Sequence, residues 1–180
     1  MELKNIFEDS EFLRQKSKEV SFSSKAFKKD IVCLEEVCKH TGCKSLSAIQ
    51  IGIPKKIIYI NNGEQKVLIN PEIVSQKGET KSWEYCPSCL EFAGFVSRPY
   101  EIEVEYYDEK GNLQSDIFEG KEASTIAHEI DHLNGTFHVD IAERIANVSM
   151  DKLKKLRTEE PYTVISQNNR YRQAPSRIKK

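Results

Sequence analysis

The segment His128-Glu129-Ile130-Asp131-His132 constrains this chain more than any other stretch of it. Two histidines four residues apart lie slightly more than one turn apart on an α-helix, so both imidazoles leave one face and reach a single ion. Glu129 stands beside them, placed to exchange a proton with a water on that ion without serving as a ligand. The chain of 180 residues has only four histidines. Two at this spacing around a glutamate point to a metal-dependent hydrolase rather than to an ordinary surface helix. The helix is expected over roughly 123–133, with Asn134-Gly135 as its stop.

A catalytic centre usually takes three protein ligands and keeps one position open. Three completions are available. With His138, the run from His128 through Gly135 matches the metzincin protease pattern in full, Gly135 turning the chain back and Met150 lying downstream. With Cys89 the set is one thiolate and two imidazoles. With Cys86 and Cys89 together it is a closed structural zinc site, which would leave Glu129 idle.

Around this helix the chain reads as a single α+β domain over 1–160, with mixed and antiparallel sheet packed about it, followed by a basic, flexible tail over 161–180. A first helix runs from a cap at Ser23 or Ser24 toward His40, with Phe27, Ile31, Leu34 and Cys38 on one face. Residues 56–60 read as a strand closed by an Asn61-Asn62-Gly63 turn, and Val67-Leu68-Ile69 as a short run stopped by Asn70-Pro71. Residues 101–107 alternate, Ile102, Val104 and Tyr106 against Glu101, Glu103 and Glu105, as a half-buried strand does. A return strand begins at Ile117-Phe118, and a last helix is expected over 142–157.

The 27 basic and 28 acidic residues nearly balance, so charge offers no argument for DNA binding. No apolar run is long enough for a membrane helix, and the N-terminus lacks the plan of a signal peptide. Five cysteines without a secretion signal point to free thiols and a cytoplasmic location.

Four segments then occur in order: Leu46-Ser47-Ala48-Ile49-Gln50, Val67-Leu68-Ile69-Asn70-Pro71-Glu72, Cys89-Leu90, and His128-Glu129-Ile130-Asp131-His132-Leu133-Asn134-Gly135. Together they resemble the peptide deformylase family, whose motifs are a Gly-x-Gly-x-Ala-Ala-x-Gln loop, a Glu-Gly-Cys-x-x segment and a Gln-His-Glu-x-x-His helix. The resemblance covers about residues 5–150. It implies a deformylase fold and hydrolysis of the formyl group from N-formylmethionyl peptides. It implies a divalent metal, ferrous iron (Fe2+) with zinc, nickel or cobalt as substitutes, on Cys89, His128 and His132. Glu129 would be general base and then acid, and Gln50 with the backbone N–H of Leu90 would hold the oxyanion. The peptide would add as a strand to a sheet edge beside the first motif, with Lys44, Ser45 and Phe92 as substrate contacts. Alternatives are a weakly active or non-catalytic metal-binding relative, and the metzincin-like protease using His138.

By this alignment the chain departs from the family at several places. Cys43 and Ser45 stand for the two glycines of the first motif, Ser47 for its first alanine, Pro87-Ser88 for the Glu-Gly of the second, and Ala127 for the glutamine of the third. The expectation is intact chemistry beside an altered groove. Cys43 reads as a small residue filling a glycine position, His138 as a buried or surface histidine, and His40 as support for a helix end. Asp131 is expected to orient a ligand or pair with Arg98, or equally to be a solvated helix residue, and Trp83 and Tyr85 to pack in the core or line the pocket. The tail, with Arg170, Arg172, Arg177, Lys179 and Lys180, suggests attraction to ribosomal RNA.

Overall fold

The computed structural model describes residues 2–23 and 25–171. Its elements in order are α1 (Ser10–Leu13), α2 (Phe27–Thr41), β1 (Ser45–Ser47), a 3-10 turn over Ala48–Ile51, β2 (Ile57–Asn62), β3 (Glu64–Cys86), β4 (Cys89–Arg98), β5 (Glu101–Tyr107), β6 (Leu113–Glu119), α3 (Gly120–Leu133), α4 (His138–Ile141), β7 (Arg144–Asn147), α5 (Met150–Glu159) and β8 (Thr163–Arg170). The strands form one antiparallel system around β3. In it β1-β2-β3-β4-β7 lie side by side, while β5 and β8 pair with other stretches of β3 and β6 pairs with β5.

The expected α+β domain with an antiparallel sheet is what the chain forms, and β2 shows how the sheet is held. Ile57, Ile58, Tyr59 and Ile60 are all buried, without the alternation of a one-sided strand, because helices cover both faces. Ile57 and Tyr59 pack with Phe27, Ile31, Leu34 and Cys38 of α2. Ile58 and Ile60 pack with Ala123, Ile126, Ile130 and Leu133, the apolar stripe of α3. Ile102, Val104 and Tyr106 of β5 join that second cluster, as their alternation requires. Burying each such aliphatic side chain contributes roughly 2 kcal/mol, which is what seats α3 on the sheet.

The structure differs from expectation in several places, among them the return strand β6, which begins at Leu113 rather than at Ile117. Helix α2 begins at Phe27 with Ala26 before it; Ser23 bonds to Ser21 rather than capping the helix, and Ser24 lies outside the described residues. Asn70-Pro71 does not end a strand. Asn70 takes φ 52 and clamps the Val20 backbone through both amide atoms, and the register shifts between Ile69 and Glu72, where the missing N–H of Pro71 is harmless. Residues 142–157 are not one helix: Arg144–Asn147 pair along β4 as β7, and Ser149 then caps α5. Finally, Thr163–Arg170 are not a free tail but pair with β3 as β8, and Tyr171 behind them donates to the Ser97 carbonyl. The remaining tail bases, Arg172, Arg177, Lys179 and Lys180, lie outside the described residues.

Gly135 ends α3 in the left-handed region at φ 76, where a Cβ would sit 2.1 Å from the Arg14 carbonyl oxygen. Backbone strain and a backbone clash coincide there. Gly135→Ala is expected to lower stability by about 3 kcal/mol or more, read as a shift of the urea midpoint. A shift below about 1 kcal/mol would contradict this close packing of Arg14 on the helix end.

Candidate metal centre and active-site cleft

Three elements converge at the centre. Helix α3 contributes His128 and His132, one turn apart. The hairpin of β3 and β4 contributes Cys86, the last residue of β3. Strand β1 contributes serines. Cys86 Sγ and one nitrogen of each histidine lie within 4.8 Å of one another. Cys86 Sγ is 3.2 Å from His132 Nε2, which is 3.1 Å from His128 Nε2. One thiolate and two imidazoles suit a borderline divalent ion such as Zn2+ or Fe2+.

His128 is aimed by what lies behind it. Its Nδ1 is 2.9 Å from Glu84 Oε2, so a proton held there leaves the Nε2 lone pair facing the cysteine. Glu84 also receives Arg98 Nε and Nη2 at 2.8 and 2.9 Å, and Arg98 Nη1 bonds Asp131 of α3. Burial penalises the Glu84 carboxylate, but the Arg98 guanidinium outweighs it and holds the group well below the usual carboxylate range. Burial likewise opposes the His128 imidazolium, yet with no ion bound Cys86 and Glu84 raise its pKa well above the ordinary value, and an ion at Nε2 would displace that second proton. His132 is pushed the other way, by burial and then by the charge of His128.

Glu129, the next residue of α3 after His128, lines the same cleft as His128. Ser45 Oγ donates to its Oε1 at 2.7 Å and Ser47 Oγ to its Oε2 at 2.5 Å. Both serines lie on β1 with Leu46 between them, and Leu46 is buried in the α2 cluster, so strand alternation turns the serines together toward Glu129. Gln50 is buried in the 3-10 turn. Its Oε1 accepts the Ser47 N–H at 2.9 Å, and its Nε2 donates to Ser88 Oγ at 3.1 Å and Cys86 Sγ at 3.4 Å.

A cleft of about 600 Å³ opens over these groups. Lys44 and Ser45 line it, together with Cys43, Trp83, Tyr85 and Pro87. The last part of the chain supplies a wall that the sequence did not suggest: Arg157, Pro161 and Tyr162.

Several residues sit elsewhere than expected. Cys89 is not in the converging set; it is buried among Ile6, Leu13, Ile49 and Phe137, where burial raises its thiol pKa to about 11. The motif therefore falls three residues earlier, as Glu84-Tyr85-Cys86-Pro87-Ser88. Its glutamate is present, and it is the partner of Arg98. Leu90 follows Cys89 and not the converging cysteine; the residue after Cys86 is Pro87, which has no N–H. Phe92 does not line the cleft but packs with Phe7, ring centroids 5.8 Å apart. His138 is buried outside the converging set with Nε2 on the Phe92 carbonyl, and burial lowers its pKa to about 4. The metzincin-like arrangement is thus not formed. A closed Cys86–Cys89 zinc site is not formed either. Asp131 pairs with Arg98, one of the roles expected of it.

Donors converging beside a clamped carboxylate at the floor of a cleft make the class a metallohydrolase of the His-Glu-x-x-His kind. Comparison with known proteins narrows it. Residues 3–148 match the family profile for Polypeptide deformylase. The peptide deformylase of Acetivibrio thermocellus is 34% identical over 172 residues, 93% of this chain and 99% of that protein. That of Nitrosococcus oceani is 36% identical over 132 residues, 71% of this chain and 79% of that one. Among solved structures, a peptide deformylase from Synechococcus elongatus in complex with actinonin superposes with a TM-score of 0.74 at 30% identity, covering 94% of this chain and 90% of that one. This chain belongs to the peptide deformylase family and is a deformylase-type hydrolase.

The two cysteines separate by metal content. Cys86→Ser is expected to lose bound metal, and Cys89→Ser to retain it in full, by plasma emission analysis of the dialysed proteins. Loss from Cys89→Ser with retention in Cys86→Ser would overturn the geometry.

Proposed function

We propose that this protein hydrolyses the N-formyl amide of formylmethionyl peptides, releasing formate and a free α-amine, with Cys86, His128 and His132 as metal ligands. The observation that carries this reading is the convergence of those three donors beside Glu129, in a chain of this family. The bound ion is ferrous iron by the family resemblance, with zinc, nickel or cobalt able to replace it, since the donor set accepts each. A divalent ion there supplies Lewis acidity, making water acidic enough to lose a proton near neutral pH.

The chain's own residues do the rest. Glu129 takes the proton from water and returns it to the departing amine. Ser45 and Ser47 hold the two oxygens of that carboxylate in place, so little reorganisation is needed when the proton moves. Glu84, fixed by Arg98, keeps the His128 ring oriented. Gln50 is the oxyanion donor of this centre, since its amide nitrogen already lies against Cys86 and the following residue, Pro87, has no N–H to offer. Among the described residues β1 pairs only with β2, which leaves its other edge for a peptide to add as a strand, with Lys44 and Ser45 beside it.

No helix among the described residues is long and apolar enough to cross a membrane. The activity belongs with protein synthesis, and the site of action we propose is the cytoplasm, on chains leaving the ribosome. The bases beyond Tyr171 are the segment offered to ribosomal RNA.

Nickel- or iron-loaded protein, assayed without oxygen on formyl-Met-Ala-Ser, should release formate. Glu129→Gln should keep its metal and lose turnover by about 10²–10⁴-fold. Equal turnover in the two proteins would refute the assignment of Glu129.

A further inference from the structure

The cleft carries an unbalanced charge. Lys44 precedes Ser45 of β1, Lys121 stands in the first turn of α3, and Arg157 lies near the end of α5; all three line the cleft from different sides. Among the described residues none of the three forms an ion pair, although ion pairs are frequent elsewhere on this molecule. Their contacts are with neutral groups: Arg157 Nε donates to the Trp83 carbonyl at 3.1 Å, and Lys121 Nζ lies 5.4 Å from the Tyr162 ring centroid.

The acids lining the same cleft are Glu84 and Glu129, and both are committed. Glu84 is neutralised by Arg98 and shared with His128. Glu129 is held by the two serines, and together with the Cys86 thiolate it would offset the charge of a divalent ion. Glu122, beside Lys121, does not line the cleft. Glu84 acts on Arg157 but is already bonded to Arg98 and His128, so a ligand entering here meets three cations without a free carboxylate among the residues that line the cleft.

Building on the deformylase reading, we propose that Lys44, Lys121 and Arg157 make this cleft selective for peptides that carry a carboxylate within a few residues of the formylmethionine. The cations stand on the rim, in solvent, so the effect is a screened attraction of modest size, strongest at low salt. The two cations from the helices act on the peptide beyond its first residue. Lys44 immediately precedes Ser45, at the start of the strand edge offered to the peptide backbone. A carboxylate from an acidic side chain and one from a peptide's own C-terminus share this chemistry, and amidated substrates separate them.

The test is kcat/KM for formyl-Met-Glu-Ser amide against formyl-Met-Gln-Ser amide on the nickel-loaded protein. The glutamate peptide should be favoured about fivefold at low ionic strength, with the ratio falling toward one in about 1 M salt. In Lys121→Met/Arg157→Met the ratio should fall toward one. Formyl-Met-Gln-Ser with a free C-terminus should gain over its amide if a terminal carboxylate is also read. A wild-type ratio of one or below, or a ratio unmoved by both salt and the double substitution, overturns the proposal. If no formyl peptide is turned over, the deformylase reading fails separately. Calorimetric affinities of the nickel-loaded protein for Met-Glu-Ser amide and Met-Gln-Ser amide then decide the charge selectivity, equal affinities refuting it and a fivefold preference supporting it.

Discussion

The buried Arg98 guanidinium is the contact on which the centre depends. It sits at the end of β4, 3% exposed, and bonds Glu84 of β3 and Asp131 of α3 together. An uncompensated charge in that position would cost several kcal/mol, so the two acids and the arginine must be present together. In satisfying one another they join the hairpin that carries Cys86 to the helix that carries His128 and His132. Glu84 has a further acceptor site, and His128 uses it. The same network that closes the fold thereby sets which imidazole nitrogen faces the cysteine.

The remaining geometry follows from alternation along strands and turns along helices. Helix α3 is two-sided: Ile126, Ile130 and Leu133 press on the sheet, while His128, Glu129 and His132 look toward the hairpin and β1. Strand β1 is short, but its middle residue, Leu46, anchors it in the α2 cluster and leaves Ser45 and Ser47 to grip Glu129. The family match ends at residue 148, yet α5 and β8 complete the cleft with Arg157, Pro161 and Tyr162. Glu160, bonded to the Trp83 indole and to Arg144, and the β8–β3 ladder fasten that wall to the sheet.

Much of this was legible from residue order. The spacing of His128 and His132 gave the helix and its chemistry, and the alternation of Ile102, Val104 and Tyr106 gave β5 and its buried face. The choice of thiol was not legible from spacing alone, since Cys86 and Cys89 both satisfy a one-cysteine, two-histidine set. The missed signal was Glu84, two residues before Cys86, where the family motif places its glutamate and where a buried arginine needs a partner. The serine clamp was equally readable, because two serines at a strand's two-residue period share one face. Segments decided by distant contacts were not readable: β7 and β8 exist because β4 and β3 have edges for them to pair with, and little within 144–147 or 163–170 announces a strand.

In the proposed centre one thiolate and two imidazoles, with Cys86 supplying the sulfur, hold the ion. X-ray absorption at the zinc edge of the zinc-loaded protein reads this directly. The predicted shell has one sulfur at about 2.3 Å and two nitrogens at about 2.0–2.1 Å, with oxygen completing it, and is identical in Cys89→Ser. A shell with two sulfurs, or one that loses its sulfur in Cys89→Ser, would contradict the account.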